Sequence, residues 1–368
     1  MSQEIFDVAV IGAGVAGLIC ARQLDRAGYR VVVSEKSRGV GGRLATRRIA
    51  GTRADLGAPY VEAEGRLSGL LFENMSDRQI LQSWTETVWQ WNPSGEAQPE
   101  PPKPRYIAPA GMSAVGKFLA TDLEIWFDRR VCRIARSQDK IWHLSLDSPR
   151  HSADFPLELM AKSIVVAIPA PQAVAILETL GDVSSELLEP LQRVEYDPSF
   201  VAIAGYPVHN RARLEELDRP WRAIRFPQHD ELSWLGLDSS KRSDASQPIF
   251  VLHSSARFAR HYLESEDLEQ LGKQLLDRVA SLLEPALATP EFLQVHRWRY
   301  AFPHRVYSQD CLTADLPSPL VCCGDWCGEK RIETGLRSGL AAASAIDSQL
   351  QQRSLLSAID LLETIVQN

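Results

Sequence analysis

The chain has 368 residues and a mass of 41.0 kDa, with 40 Lys and Arg against 47 Asp and Glu, a net charge of −7. That mild acidity argues against nucleic acid or an anionic membrane as the main partner. A composition of 45% apolar and 24% charged residues argues against a largely disordered or fibrous chain. At roughly 150 residues per domain, the length suggests two or three domains or one large interleaved unit.

Six cysteines are too sparse for a disulfide scaffold. Cys322, Cys323 and Cys327 cluster without a nearby His, so no metal site is expected. Met1–Asp7 lacks the basic region of a signal peptide. No apolar stretch reaches the ~20 residues that span a bilayer. These features predict a soluble, cytoplasmic protein with free thiols.

Val8–Ile11, with Phe6 just before it, is a continuous apolar run of the kind that forms a buried parallel strand. Gly12-Ala13-Gly14-Val15-Ala16-Gly17 follows at once. Leu18–Ala27 then reads as a helix stopped by Gly28, and Val31–Val33 as a second strand ending at Glu35. Each part has a task in dinucleotide binding. Gly12 permits a tight turn, Gly14 lets the backbone approach a pyrophosphate, and Gly17 lets the helix lie close to the strand. The helix start at Val15 and Ala16 offers N–H groups and a positive dipole end to phosphate. Glu35, 18 residues beyond Gly17, is placed for a ribose hydroxyl pair.

Pro93–Arg105 reads as an exposed loop or linker. Tyr106–Phe118 carries Gly111-Met112-Ser113 and then a helical stretch, and Glu124–Ile134 reads as strand material around Val131. Ser163–Ile168 is a buried-type strand broken by Pro169-Ala170-Pro171. Phe200–Ala204, Ile249–Ser254 and Phe292–Tyr300 read as strands. Leu268, Leu271, Leu275, Leu276, Val279, Leu282 and Leu283 form a helical stripe ended near Pro285. Leu320–Cys323 is strand-like and precedes Gly324-Asp325-Trp326 and a small-residue helix over Ser338–Ala345. Leu355–Val366 reads as a short amphipathic helix or a fraying end. There is no internal repeat and no second strand–glycine loop–helix unit.

The segment Lys36-Ser37-Arg38-Gly39-Val40-Gly41-Gly42-Arg43 follows Glu35 directly. Its Gly41-Gly42-Arg43 resembles the second glycine motif of the large FAD-binding family of amine oxidases and phytoene desaturases. Asp55-Leu56-Gly57-Ala58-Pro59-Tyr60 resembles that family's segment along the flavin. Gly111-Met112-Ser113-Ala114, Pro169-Ala170-Pro171-Gln172-Ala173, His296-Arg297-Trp298-Arg299-Tyr300 and Gly324-Asp325-Trp326-Cys327 resemble, in order, bacterial renalases and their relatives. The resemblance covers most of the chain. Two positions depart from it: Pro59 stands where relatives carry Gln, and Thr334-Gly335 where they carry a Gly-Ala pair.

The resemblance implies an α/β fold, a Rossmann-like FAD-binding domain with an inserted α+β substrate domain, in the architecture of p-hydroxybenzoate hydroxylase and the amine oxidases. The FAD-binding domain would comprise 1–65, 105–170 and 306–350, the substrate domain 66–104 and 171–305, and a tail 351–368. FAD would be held by Gly12, Gly14, Val15, Ala16, Gly17, Glu35, Lys36, Gly42 and Arg43 at its adenosine and phosphates. Gly57, Ala58, Pro59 and Tyr60 would pass the flavin, Val131 the adenine, and Gly324 and Asp325 the ribityl chain. Glu333 and Thr334 would open the closing helix beside the ring.

The implied activity is oxidation of wrongly reduced nicotinamide nucleotides, the 2- or 6-dihydro isomers of NAD(P), by hydride transfer to flavin. Oxygen would reoxidise the flavin and leave as hydrogen peroxide. An amine oxidase or desaturase-like enzyme, and a flavoprotein with structural FAD, remain alternatives on the same fold. A pyridine nucleotide–disulfide reductase fits poorly, because Cys322 and Cys327 stand at the wrong end of the chain. They read as buried reduced thiols, with a covalent flavin link through Cys327 as the second option.

Alternation along Phe292–Tyr300 puts His296, Trp298 and Tyr300 on one side and Arg297 and Arg299 on the other. Tyr60, His253 and Trp298 are the candidates to enclose a flat substrate ring over the flavin, the alternative being a packed aromatic sheet face. Arg225, Arg257, Arg260, Arg297 and Arg299 are the candidates for substrate phosphates, the alternative being solvated surface groups.

Overall fold

The computed structural model describes residues 4–49, 51–92, 95–148, 157–181, 184–215, 221–329 and 331–365. Strand Ile5–Ile11 lies at the centre of an eight-stranded sheet, parallel to Val31–Ser34 on one side and Glu158–Val166 on the other. Val8, Ala9 and Val10 have no exposed surface, as a strand covered on both faces requires. The long Glu158–Val166 strand divides its other edge. Its first half pairs antiparallel with Trp142–Asp147, and its last residues pair parallel with Leu320–Cys322. The C-terminal part of the chain thus returns to the N-terminal sheet. Helices Val15–Arg26 and Arg331–Gln349 pack against each other beside it. Gly12 has φ +105°, and a Cβ there would meet the Ala167 carbonyl oxygen at 2.7 Å. A Cβ at Gly17 would lie 2.0 Å from the Gly12 oxygen, so the strand–helix turn closes only on glycine.

A second, seven-stranded sheet runs in the order Phe292–Arg305, Glu195–Gly205, Ile249–Ser254, Leu232–Leu237, Ala223–Arg225, Trp89–Trp91, Ala97–Pro99. Its pairs are antiparallel except Ala223–Arg225 with Trp89–Trp91. Helix Leu268–Leu282 covers one face with the predicted stripe, of which Leu271, Leu275, Leu276 and Val279 are buried. Asp267 caps its start by accepting from the Gln270 N–H at 2.9 Å. The mixed α/β architecture is the one expected.

Several local expectations change. Glu124–Ile134 is two strands: Ile125–Trp126 joins Val31–Ser34, and Arg130–Arg136 begins after a turn through Asp128 at φ 55°. Pro169-Ala170-Pro171 does more than end a strand. It starts helix Ala170–Leu177, where proline in the first turn forfeits no intrahelical bond. In the segment read as a linker, Pro93 and Ser94 lie outside the described residues. Ala97–Pro99 forms an edge strand, and buried Arg105 pairs with Glu62 and Glu100. The terminal stretch forms helix Ala358–Glu363, with Leu361 and Leu362 buried; Val366 lies outside the described residues.

The boundary expected at residue 66 divides differently in space. Helix Arg66–Asp77 packs on Arg331–Gln349 and Ala358–Glu363, because its buried Leu71, Phe72 and Met75 share the core of the first sheet. Only Trp89–Trp91 and Ala97–Pro99 from this stretch join the second sheet.

The sheets are joined through the hairpin Thr46–Ile49 and Thr52–Asp55. Its Ile49, Ala54 and Leu56 pack on Val201, Ile203, Ile249 and Val251 of the second sheet. Asp55, wholly buried, accepts from Lys241 Nζ at 2.9 Å and Arg242 Nη2 at 3.2 Å through one oxygen. Its other oxygen accepts from Thr46 Oγ1 at 2.7 Å and the Met112 N–H at 2.9 Å. Asp238 completes the cluster, accepting from Lys241 at 2.5 Å and Arg242 at 2.6 Å. Burial works to raise the Asp238 pKa, but the Lys241 and Arg242 cations hold it below the usual carboxylate value.

Removing one partner from such a cluster strands charge in the interior, at a cost of about 3–5 kcal/mol. Asp55→Ala is therefore expected to lower the denaturation midpoint of the protein markedly. An unchanged midpoint would show that the cluster contributes nothing to holding the sheets together.

Candidate active site

A cavity of about 1820 Å³ runs between the two sheets. It exceeds the roughly 300–1,000 Å³ of an ordinary small-ligand pocket, so it has room for a dinucleotide and a second molecule. At one end lie the glycine turn and the start of helix Val15–Arg26. Gly14 is the N-cap; no side chain caps that helix, and no acidic residue stands in its first turn. Its N–H groups and dipole are thus directed at the cavity, which Gly14, Val15 and Ala16 line. Gly17 sits behind them as the packing contact rather than on the wall.

Glu35 emerges from the end of Val31–Ser34 and is buried. One carboxylate oxygen accepts from the Ala13 N–H at 2.8 Å and the other from the Ser37 N–H at 2.8 Å. Each oxygen keeps a second lone pair for a ribose hydroxyl. Lys36, Gly42, Val131, Gly57, Ala58, Pro59 and Gly324 also line the cavity. A Cβ at Gly57 would lie 1.8 Å from the Arg43 carbonyl oxygen, so this segment approaches the glycine-rich loop as only glycine permits.

Arg43 and Asp325, expected at different parts of the cofactor, are brought together. Arg43 Nη2 pairs with Asp325 Oδ1 at 2.6 Å, and Nη1 donates to the Ala301 oxygen at 3.3 Å. Burial opposes the Arg43 charge, and the Asp325 carboxylate beside it more than restores its basicity. Glu333 and Thr334 do not face the cavity. The Glu333 carboxylate accepts from the Ser68 N–H at 2.7 Å and the Leu67 N–H at 3.2 Å. It satisfies the start of helix Arg66–Asp77, whose first N–H groups have no partner within the helix. Thr334 is buried, and Ile332 and Gly335 take the wall positions.

At the other end the predicted trio Tyr60, His253 and Trp298 all line the cavity. Tyr60 receives a hydrogen bond from Arg225 and packs its ring 5.3 Å from that of Trp234. Trp298 donates through Nε1 to the Leu56 oxygen at 2.9 Å and meets the His296 ring edge-on at 4.5 Å. His253 is buried, and its Nε2 has no hydrogen-bond partner among the described residues. Burial, with Lys241 and Arg331 nearby, lowers the His253 pKa to about 4. Burial, with Arg47, lowers that of His296 to about 4.

The arginine candidates separate. Arg297 donates to the Leu263 and Ser265 oxygens at 2.7 and 2.9 Å, and Arg299 pairs with Glu264, so both guanidinium groups lie on the far side of their strand. Arg257 pairs with Asp230 and Arg260 with Asp197 at the surface. Arg225 remains at the site. Trp234, Arg47 and Arg331 also line the cavity and were not foreseen; no spacing distinguishes them in the sequence. Cys322, Cys323 and Cys327 are buried free thiols. Burial raises all three, Cys327 to about 12, so none offers a thiolate.

The residues present fit FAD: an uncapped helix start for its phosphates, a bonded glutamate for its ribose, and a glycine-walled passage continuing to an aromatic chamber. Glu35→Ala and Arg43→Ala are expected to weaken FAD retention by roughly ten- to a hundred-fold, the worth of a charge-assisted hydrogen bond of ~1.5–3 kcal/mol. Flavin absorbance after dialysis reads this out, and unchanged affinity in both variants would refute the placement.

Comparison with known proteins agrees. Residues 10–72 match the NAD(P)-binding Rossmann-like domain, and residues 103–347 match the flavin containing amine oxidoreductase family. The chain is 51% identical over 55 residues to "Putative flavin-containing monoamine oxidase AofH" of Mycobacterium tuberculosis, a stretch covering 15% of this chain and only 12% of that protein. It is 39% identical over 56 residues to a Pseudomonas pseudooxynicotine dehydrogenase, covering 15% and 11%. Among solved structures, putrescine oxidase bound to putrescine superposes with a TM-score of 0.69 at 15% identity, covering 94% of this chain and 99% of that one. Cyclohexylamine oxidase from Brevibacterium oxydans superposes with a TM-score of 0.67 at 14% identity, covering 95% and 100%. With one family matching well over half its length, and a cavity built to its pattern, the chain belongs to the flavin containing amine oxidoreductases, FAD-dependent oxidoreductases of Rossmann-like fold.

Proposed function

We propose that the protein oxidises an anionic dihydronicotinamide nucleotide, the 2- or 6-dihydro isomer of NAD(P), to NAD(P)+. The observation that carries this reading is the charge of the cavity. Leaving out Arg297 and Arg299, whose guanidinium groups are bonded behind their strand, its walls hold eleven Lys and Arg against five Asp and Glu, in a chain of net charge −7. Lys36, Arg38, Arg47, Arg48, Lys117 and Arg331 make no ion pair among the described residues. Lys36 and Arg38 follow Glu35, on the adenosine side. Arg47 acts on His296 and Arg331 on His253, at the aromatic end. Cations at that end attract substrate phosphates and repel a protonated amine.

FAD, when bound, supplies the acceptor for the substrate's hydride, and oxygen takes the electrons onward to give hydrogen peroxide. The protein's own residues then have three tasks. Tyr60, Trp234 and Trp298 wall the chamber, hold a flat ring and exclude water. Trp298 is fixed in that role by its bond to Leu56. Arg47 and Arg331 draw in the phosphates. No base is needed, because the donor ring becomes aromatic as the hydride leaves, and His253 and His296 are neutral at physiological pH. Amine oxidation is the second reading, favoured by the family match. It makes a different demand, a neutral donor amine, and so a rate that rises with pH.

Anaerobic mixing with 2- and 6-dihydro-NAD(P) is expected to bleach the flavin at a rate nearly constant from about pH 6 to 9. His253 and His296, with pKa values of about 4, stay uncharged throughout that range. Bleaching by simple amines, with neither isomer reacting, would establish the second reading instead. Trp298→Ala is expected to slow reduction at least tenfold, ~1.4 kcal/mol in the barrier, while FAD stays bound. Full activity in that variant would remove Trp298 from the substrate wall.

A further inference from the structure

Among the described residues six large apolar side chains stand exposed, and of these Phe302 alone lines the cavity. A single exposed apolar ring on an outer surface needs no explanation. One on a cavity wall, beneath a cation without a counter-ion, does. Phe302 keeps 40% of its surface exposed. The Arg331 guanidinium lies over its ring, 5.3 Å from the centroid. Arg331 is itself exposed, lines the cavity and makes no ion pair among the described residues.

The pair is held from behind. Arg331 has φ 27°, a left-handed value that a residue with a side chain adopts only where its surroundings impose it. Two residues on, the Glu333 carboxylate accepts from the Leu67 and Ser68 N–H groups. Gly65 admits that carboxylate, since a Cβ there would lie 2.3 Å from Glu333 Cδ. The first turn of helix Arg331–Gln349 is thus clasped on its far side, while Arg331 reaches the cavity and Phe302. The other rings of the same strand are engaged. Trp298 meets His296 at 4.5 Å, and Tyr300 meets Tyr196 at 5.5 Å. Phe302 has no aromatic neighbour among the described residues, and its ring surface stays open to the cavity.

A guanidinium plane beside an open aromatic face is a surface for a flat π-system, and every nucleobase has such a face whatever its edges carry. Four residues of strand separate Phe302 from Trp298, a span of at most about 14 Å. That is the order of separation between the two rings of an extended dinucleotide, with its phosphates between them. We infer that Phe302 and Arg331 form a stacking platform for the adenine of the substrate, at the rim of the cavity, while its nicotinamide lies against Trp298. This rests on the dihydronicotinamide reading and adds to it a second subsite. The platform selects a dinucleotide over a mononucleotide by the second base, without a hydrogen bond to any edge of that base.

The test is equilibrium titration of the FAD-loaded protein, followed by perturbation of the flavin absorption band. The probes are NAD+ and nicotinamide mononucleotide, which keeps the nicotinamide and lacks the adenosine half. Phe302→Ala is expected to weaken NAD+ by about five- to a hundredfold, the worth of one stacked base, and to leave the mononucleotide unchanged. Phe302→Tyr, which keeps the ring, is expected to bind both as wild type does. The mononucleotide is a reference within each protein, so a loss of stability does not imitate the result. Equal weakening of both probes in Phe302→Ala, or of neither, would overturn the inference and leave the nucleotide reading standing. Release of FAD from that variant would assign the ring to the cofactor and overturn it as well. A wild-type protein that binds neither probe would sink the nucleotide reading, and the inference with it.

Discussion

One buried carboxylate holds the two sides of the cavity in register. Asp55 belongs to the hairpin that follows the nucleotide-binding loop, yet its cationic partners Lys241 and Arg242 belong to the second sheet's connection. The next residue, Leu56, offers its carbonyl to Trp298, and the one after, Gly57, lies against Arg43. Three consecutive residues therefore tie the cofactor side of the cavity to its substrate side. Burying two acids and two bases is a poor way to gain stability, since desolvation consumes most of the attraction. What it confers here is register. Sliding the sheets would part Asp55 from Lys241 and Arg242 and would also release the Trp298 indole.

The distribution of charge follows the same division of labour. Inside the protein, charges are matched: Asp55 and Asp238 with Lys241 and Arg242, Arg43 with Asp325, Arg105 with Glu62 and Glu100. On the cavity wall the matching is incomplete, since Lys36, Arg38, Arg47, Arg48, Lys117 and Arg331 make no ion pair among the described residues, and the excess is positive. A chain of net charge −7 that concentrates unpaired cations along one internal surface presents a local field opposite to its global one. Low-dielectric walls strengthen that field. The consequence bears first on FAD, whose phosphates are anions.

The nucleotide half was legible in the sequence because its determinants are local. Gly12, Gly14, Gly17 and Glu35 fall within a few tens of residues, and each answers to a backbone requirement that strand and helix geometry impose. The long strands and the Leu268–Leu282 stripe were legible from periodicity for the same reason. The substrate chamber was not. Trp234 meets His253 through strand pairing across a bulge between Leu232 and Trp234, and nothing in either strand names its neighbour. Glu333 was placed at the cofactor by its position after Gly-Asp, but its carboxylate crosses to Ser68, 265 residues away in sequence. Alternation did separate the faces of Phe292–Tyr300, with Trp298 on the cavity and Arg297 and Arg299 bonded behind it. Periodicity assigns faces; it does not assign partners.

The two histidines show how the chamber's chemistry and its stability are linked. Each has a pKa of about 4, against 6.5 for an exposed histidine. Between those values the unfolded chain binds protons that the folded chain refuses, so the folded state loses stability as pH falls from about 6.5 toward 4. Above 6.5 the linkage vanishes, and both rings are neutral in either state. Burial keeps His253 neutral beside Lys241 and Arg331, with the Asp238 carboxylate opposing those cations. Were it protonated, the imidazole would lose its accepting nitrogen and add a further positive charge to the chamber wall. The burial that costs the fold acid stability is thus the same burial that keeps both imidazoles of the chamber uncharged.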